Sequence, residues 1–519
     1  MAIATITAAT LRSWIVDGGE LAILDAREEG EFGASHLFWA VPCPLSKMEA
    51  RAHVLLPSLA ARVVCVDDGG GLAERLAAYL VGLGAENVQV LAGGTAAWKA
   101  AGNVLFSGVN VPSKAFGEWI EHHFGTESVD ALELKAWIDS GRNMVVLDSR
   151  TWEEYQRMSI PTGTSVPGGE LAYRIGDLVP DPETLVVVNC AGRTRSILGA
   201  ESLRQAGIPN KVVALRNGTM GWELAGLACD RGRSARFEPG RPATAEVAMA
   251  RATAFAERSG VRVTDAAGLA RLAADRERTL YVLDVRDPAE FAAGHVAGSV
   301  SAPGGQLVQA TDTWIAVRNA RIALIDDDGV RARMSAAWLR QMGHREVYAV
   351  DGGLEAAPVP RVPTPVVTDF VPITVEEVAA SGALIIDLAR SIDFREGHIL
   401  GAQWGIRTRL ETLKVPIAEA SLVVLTSPDG VQARWAWAEA QALTQGRVAV
   451  LQGGTKAWEA AGQPLNRDRA NPPDTACVDF YLRPYDRNAG IEEAMKAYLS
   501  WEIDLVHEIE RDGTVRFGA

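Results

Sequence analysis

The feature that most constrains this 519-residue chain is a fourfold internal repeat. Four apolar strands end in aspartate: Ala22–Arg27 (AILDAR), Val145–Arg150 (VVLDSR), Tyr281–Arg286 (YVLDVR) and Leu384–Arg390 (LIIDLAR). Three are followed by an aromatic residue and a histidine: Phe32 and His36, Phe291 and His295, Phe394 and His398. The second has Glu154 and Tyr155, but Met158 and Ser159 stand where Gly-His would be. Each repeat closes on a strand, a tight turn and a helix: Val90–Gly102, Ala214–Gly226, Ala349–Ala357 and Val450–Gly462. A Gly-Gly or Asn-Gly pair supplies the turn. The tryptophan of the first, second and fourth copies reads as a core anchor. One unit repeated four times cannot share the layout of a single large domain. Apolar strands alternating with amphipathic helices predict an α/β fold, each copy a small parallel sheet flanked by helices.

Within the second copy the stretch Val186–Ser196 (VVVNCAGRTRS) stands out. Val186–Val188 end a short apolar run, and after the loop Ile197, Ala200, Leu203 and Gly207 recur at helical spacing with a glycine stop. Cys190 therefore opens a loop between the C-terminal end of a strand and the N-terminus of a helix. Backbone N–H groups converge there and the helix dipole is positive, so an anion is stabilised. Arg193 and Arg195 add to the field. A cysteine so placed is expected to react as a thiolate nucleophile; the alternative is a buried structural cysteine.

Alignment of the copies on the helix after this loop, which ends at Gly84, Gly207, Gly343 and Gly446, puts Asp67 and Asp326 at the place of Cys190. Arg331 then matches Arg195. In the fourth copy either Ser427 or Asp429 falls there. An aspartate would itself occupy the positive field and repel an anionic substrate, so one copy of four is expected to react.

Composition narrows the function classes. A net charge of −14 argues against a general binder of nucleic acid or anionic membrane. The five cysteines, Cys43, Cys65, Cys190, Cys229 and Cys477, are odd in number and form no CxxC pair. That predicts a reducing, cytoplasmic setting, with neither a disulfide scaffold nor a zinc site. No signal peptide is evident, and no apolar run approaches a membrane span. Only Cys190 is assigned chemistry.

Asp-x-Arg, then Glu-Phe-x-x-Gly-His, a strand–Cys loop and Gly-Gly-x-x-x-Trp, in that order, resemble the rhodanese (sulfurtransferase) domain. The resemblance covers nearly the whole chain: inactive copies at 1–108, 259–358 and 368–468, the catalytic copy at 125–230, and a C-terminal extension at 469–519. It implies Cys190 as the catalytic residue, with Ala191, Gly192, Arg193, Thr194, Arg195 and Ser196 binding substrate. The implied partners are a small anionic sulfur donor and a thiol or cyanide acceptor, with no cofactor, metal, nucleic acid or membrane. On this reading Cys190 is expected to attack the outer sulfur of a donor such as thiosulfate and to hold it as a persulfide, with the loop N–H groups carrying the charge. Arg193 and Arg195 are expected to bind the donor. Gly192 lets the loop close, and Ser196 either caps the helix or touches substrate. Asp148, Arg150 and Glu154 are expected as a structural ion-pair set, and Gly168, Gly169 and Glu170 as one wall of the pocket. His122 and His123 are read as surface residues.

Two rivals remain at this stage. A cysteine phosphatase needs five residues between Cys and Arg, and here Ala191–Thr194 are four. A multi-repeat scaffold or persulfide carrier shares the fold and differs in its partner. Ser107–Ser113, Arg231–Pro242, Pro358–Pro365 and Asn471–Pro473 are candidate linkers. Ala243–Arg258 and Ile491–Ile509 are predicted helices, the second packing on the fourth copy or at a subunit interface.

Overall fold

A computed structural model describes residues 3–363 and 365–518. Its framework is four five-stranded parallel sheets, each with the internal strand order 1-5-4-2-3. In the second repeat the order is Ser128–Val129, Val212–Leu215, Leu185–Asn189, Met144–Asp148 and Thr164–Ser165. The central strand Leu185–Asn189 is buried along its length, as a parallel strand covered on both faces must be. In the first repeat one strand more is added antiparallel to Leu21–Asp25: Val317–Arg318, from the third repeat.

The recurring motifs have structural duties. In the first three repeats the strand-ending aspartate and the arginine two residues on form a buried bidentate pair: Asp25–Arg27, Asp148–Arg150 and Asp284–Arg286. Each arginine also donates to a carbonyl eight residues further along, which fixes the loop after the strand. The fourth repeat has its arginine one residue later. Arg390 pairs with Asp393 instead, and burial pushes the Asp387 carboxyl up to about 6. Trp98, Trp222 and Trp458 are buried, each indole donating to a carbonyl six residues on.

One contiguous apolar core takes side chains from the first three repeats and from the connecting helices Val111–Phe124 and Ala245–Arg258. The fourth repeat has cores of its own. The first repeat meets the fourth through Arg407–Glu49 and Thr408–Glu28. The second meets the third where Gly168 and Gly169 lie against Gly304 and Gly305; a Cβ on Gly169 would stand 2.8 Å from the Gly305 nitrogen.

Several expectations are corrected here. The stretch Ser107–Ser113 is not wholly a linker, because a buried helix already begins at Val111. Thr364, inside the expected linker Pro358–Pro365, lies outside the described residues. The C-terminal extension does touch the fourth repeat, through Arg395–Asp474 and the Ser391 amide on Asp479. It does not stop there. It crosses the first repeat, with the Gly30 amide on the Val478 carbonyl, and ends in a helix, Ile491–Asp512, packed on Val111–Phe124 and on the Cys190 loop. The apolar stripe of that helix, Met495, Leu499 and Leu505, is what seats it.

Candidate functional site

The strand Leu185–Asn189 delivers Cys190 to the end of the sheet, and the helix Thr194–Gln205 begins four residues later. Cys190 is 1% exposed and lies on the floor of a cleft of about 330 Å³. Its Sγ is 3.5 Å from the Ser196 hydroxyl, which itself donates to the Arg193 carbonyl at 2.8 Å. Ser196 is thus neither cap nor cleft wall; its hydroxyl accepts from the Cys190 thiol. The Cys190 and Ala191 carbonyls accept from the Thr219 and Met220 amides, so the turn Asn217–Gly218 clamps the loop from behind. At Gly218 the fit admits only glycine: a Cβ would lie 2.2 Å from the Cys190 carbonyl oxygen.

The same clamp identifies the matching residue elsewhere. The Thr95 amide donates to the Asp67 carbonyl, and the Thr455 amide to that of Ser427. Ser427, not Asp429, is therefore the fourth repeat's counterpart of Cys190. The contents of the loops then differ sharply. The Asp67 carboxylate accepts from the amides of Gly69, Leu72 and Ala73, and that of Asp326 from Gly329 and Ala332. Both carboxylates fill their own anion cradles. In the second repeat the amides of Gly192 and Arg195, at the positions of Gly69 and Leu72, meet no side-chain acceptor among the described residues.

Both loop arginines are neutralised. Arg195 forms a two-pronged pair with Glu154 (2.6 and 2.8 Å), and although burial opposes ionisation, Arg195 holds the Glu154 carboxyl well below the usual range. Glu154 thus belongs to Arg195 and not, as expected, to the Asp148–Arg150 pair. Arg193 turns onto the connecting helix, pairing with Glu118 at 2.7 Å and with Glu121. Their geometry holds the loop in place and leaves little net charge for a substrate. Gly192 is explained differently from the expectation: a Cβ there would stand 3.0 Å from Glu502 Oε2 and 3.3 Å from the Tyr498 ring. Thr194 donates to Glu502 Oε1 at 3.0 Å.

The other wall comes from elements that sequence reasoning missed: Lys114 on the connecting helix, Gln306 and Gln309 from the third repeat, and Tyr481, Arg483, Tyr485, Tyr498 and Glu502 from the C-terminal extension. Arg483 is exposed to the cleft and, among the described residues, has no ion-pair partner. The signal was the run Tyr481-Leu-Arg-Pro-Tyr485, rich in aromatic and cationic side chains yet without helix or strand period. Gly168, Gly169 and Glu170 face the third repeat and do not line this cleft; Glu170 binds Arg174 and Arg331.

The remaining cysteines do not line this cleft. Burial pushes the Cys43 and Cys229 thiols up to about 12 and raises those of Cys65 and Cys477. His122 and His123 are exposed. No described helix is long and apolar enough to cross a membrane.

The rhodanese-like domain model matches residues 7–101, 130–225 and 266–357. A solved thiosulfate sulfurtransferase from Pseudomonas aeruginosa superimposes with a TM-score of 0.93 at 44% identity, over 99% of each chain. The thiosulfate sulfurtransferase GlpE of Pseudomonas fluorescens (strain Pf0-1) is 36% identical over 83 residues, 15% of this chain and 72% of that protein. The GlpE of Pseudomonas aeruginosa (strain LESB58) is 32% identical over 83 residues, 15% and 71% respectively.

Proposed function

The chain belongs to the rhodanese-like sulfurtransferase family, and on that premise we propose that it moves sulfane sulfur from thiosulfate, or a related compact anion, through a Cys190 persulfide to a thiol or cyanide acceptor. The observation that carries this reading is the contrast between loops. Two of the four are closed by their own aspartates, while the second offers a thiol on the floor of an open cleft with loop amides unoccupied.

In this reading Cys190 Sγ attacks the outer sulfur of the donor, the S–S bond of thiosulfate breaks, and sulfite leaves with the electron pair. The Gly192 and Arg195 amides hold the outer sulfur's charge as an oxyanion hole would. Ala191 and Thr194 form the rest of the cradle. Arg193 and Arg195 keep the loop in shape through their carboxylate partners, and Arg483 is the cation left to meet the donor anion.

Intact mass of the full chain before and after thiosulfate tests this. The expected result is a gain of one sulfur atom, absent in Cys190→Ser and discharged by cyanide as thiocyanate. No gain from thiosulfate or from a small-molecule persulfide overturns sulfur transfer and leaves the repeats as a binding scaffold.

A further inference from the structure

The C-terminal helix brings one group into the cleft that loop chemistry alone does not require. Glu502 is 1% exposed and lines the same cleft as Cys190. Its two carboxylate oxygens differ. Oε1 accepts from Lys114 Nζ at 2.8 Å, from the Thr194 hydroxyl at 3.0 Å and from the Tyr498 hydroxyl at 3.2 Å. Oε2 is buried over Gly192 and, among the described residues, has no donor. A buried acceptor without a donor is costly, and in a cleft it is satisfied most directly by a donor that arrives with a ligand. Thiosulfate brings no proton; a thiol does. The three donors on Oε1 fix the carboxylate's orientation, so Oε2 stays directed at the loop.

We infer that Glu502 accepts the proton of the thiol that discharges Cys190, making it a catalytic residue of the second half-reaction. This rests on sulfur transfer through Cys190. The thiol's S–H proton passes to Glu502 Oε2, and the freed electron pair on the thiol sulfur bonds to the outer sulfur of the persulfide. The bond from that sulfur to Cys190 Sγ breaks, its pair remaining on Sγ. The products are an alkyl persulfide anion, the Cys190 thiolate and protonated Glu502, which returns its proton to solvent. No oxidant or reductant enters. The charged and titratable groups facing Glu502 are Lys114 and Glu118 on the connecting helix, Arg193 on the loop, Tyr498 on its own helix, and Tyr481 and Arg483 on the preceding segment.

The test separates acceptors by their protons. The full chain is loaded with thiosulfate, desalted, and discharged in single turnover by 2-mercaptoethanol or by sulfite, which regenerates thiosulfate and needs no base. Glu502→Gln removes a carboxylate that faces both anions, so it is expected to load from thiosulfate and to discharge to sulfite at least as fast as wild type, and to discharge to the thiol about tenfold more slowly at pH 7. The gap closes as pH rises past the thiol's own pKa, about 8.5 or above. Because Glu502→Gln strands the Lys114 charge, Lys114→Gln/Glu502→Gln is measured beside it and is expected to show the same acceptor split. Equal slowing with both acceptors, or no slowing with the thiol, overturns the role of Glu502. If the wild-type chain takes up no sulfur, it is the transfer reading that falls.

Discussion

The second and third repeats place the same loop on the same kind of sheet, and they differ in what fills it. In both, the helix after the loop carries an arginine bound to the glutamate six residues beyond the strand-ending aspartate: Arg195–Glu154 and Arg331–Glu290. In both, a buried Asp–Arg pair fixes the preceding turn. At the head of the loop, however, one has a thiol below an open cleft, and the other a carboxylate bonded to its own amides. Arg331 is drawn further into the protein by Glu170 of the second repeat and by Asp327. The third repeat has thus kept the anion cradle and internalised the anion. The frame around the loop is a structural device common to both, and the two loops differ in one side chain and in what covers it.

The sharpest way to break this comparison is to write the third loop into the second. Cys190→Asp is expected to abolish sulfur loading outright and to fold normally, because the new carboxylate finds amide donors in its own loop, as Asp326 does at Gly329 and Ala332. Thiosulfate assay and thermal melting check both halves. A melting temperature that collapses would mean the two loops are not equivalent cradles. A smaller effect is expected at Arg483. Arg483→Ala removes the cleft's unpaired cation while leaving the loop and its paired arginines intact. Loss of a charge-assisted hydrogen bond is worth about 1.5–3 kcal/mol, so KM for thiosulfate should rise roughly 10- to 100-fold with kcat little changed. An unchanged KM would return donor binding to Arg193 and Arg195.

How much of this was legible in the sequence follows from the range over which each feature acts. Periodicity and turn residues report local matters, so the strand Leu185–Asn189, the helix after Arg193 and the match of Asp326 to Cys190 could all be read from the chain. The fate of Arg193 could not, because Glu118 and Glu121 lie some seventy residues away, on a helix whose first turn falls in the expected linker Ser107–Ser113. Nor could the path of the C-terminal extension. Its apolar stripe predicts a helix that must be buried somewhere, but four similar copies offer similar surfaces, and hydrophobic burial does not choose among them. The choice is made by particular contacts, such as Tyr485 on Thr219, Arg157 on Asp486, and Trp501 against Gly108, where a side chain on the glycine would clash. The fourth copy's register was ambiguous for a local reason: Ser427-Pro-Asp429 offers two polar residues two positions apart, and only the amide clamp from Thr455 decides between them.

The smallest expected effect concerns the cost of an internalised anion. Burial pushes the Asp326 carboxyl up to about 7, against the pull of Arg331 and the Ala332 amide. In the unfolded chain the same group titrates near its ordinary value of 3.8. Between those two values the folded chain holds a proton that the unfolded chain has released, so the wild-type protein loses stability as pH rises from about 4 to about 7. Above that window both states are ionised and the penalty is constant; below it both are protonated and the penalty vanishes. Asp326→Asn resembles the protonated side chain at every pH. Its NH2 cannot accept from a loop amide, so the variant starts below wild type at pH 4, and its stability relative to wild type should rise in its favour toward pH 7, as read by denaturant unfolding at a series of pH values. A flat difference for Asp326→Asn across the window would mean that the third cradle holds its carboxylate at no cost.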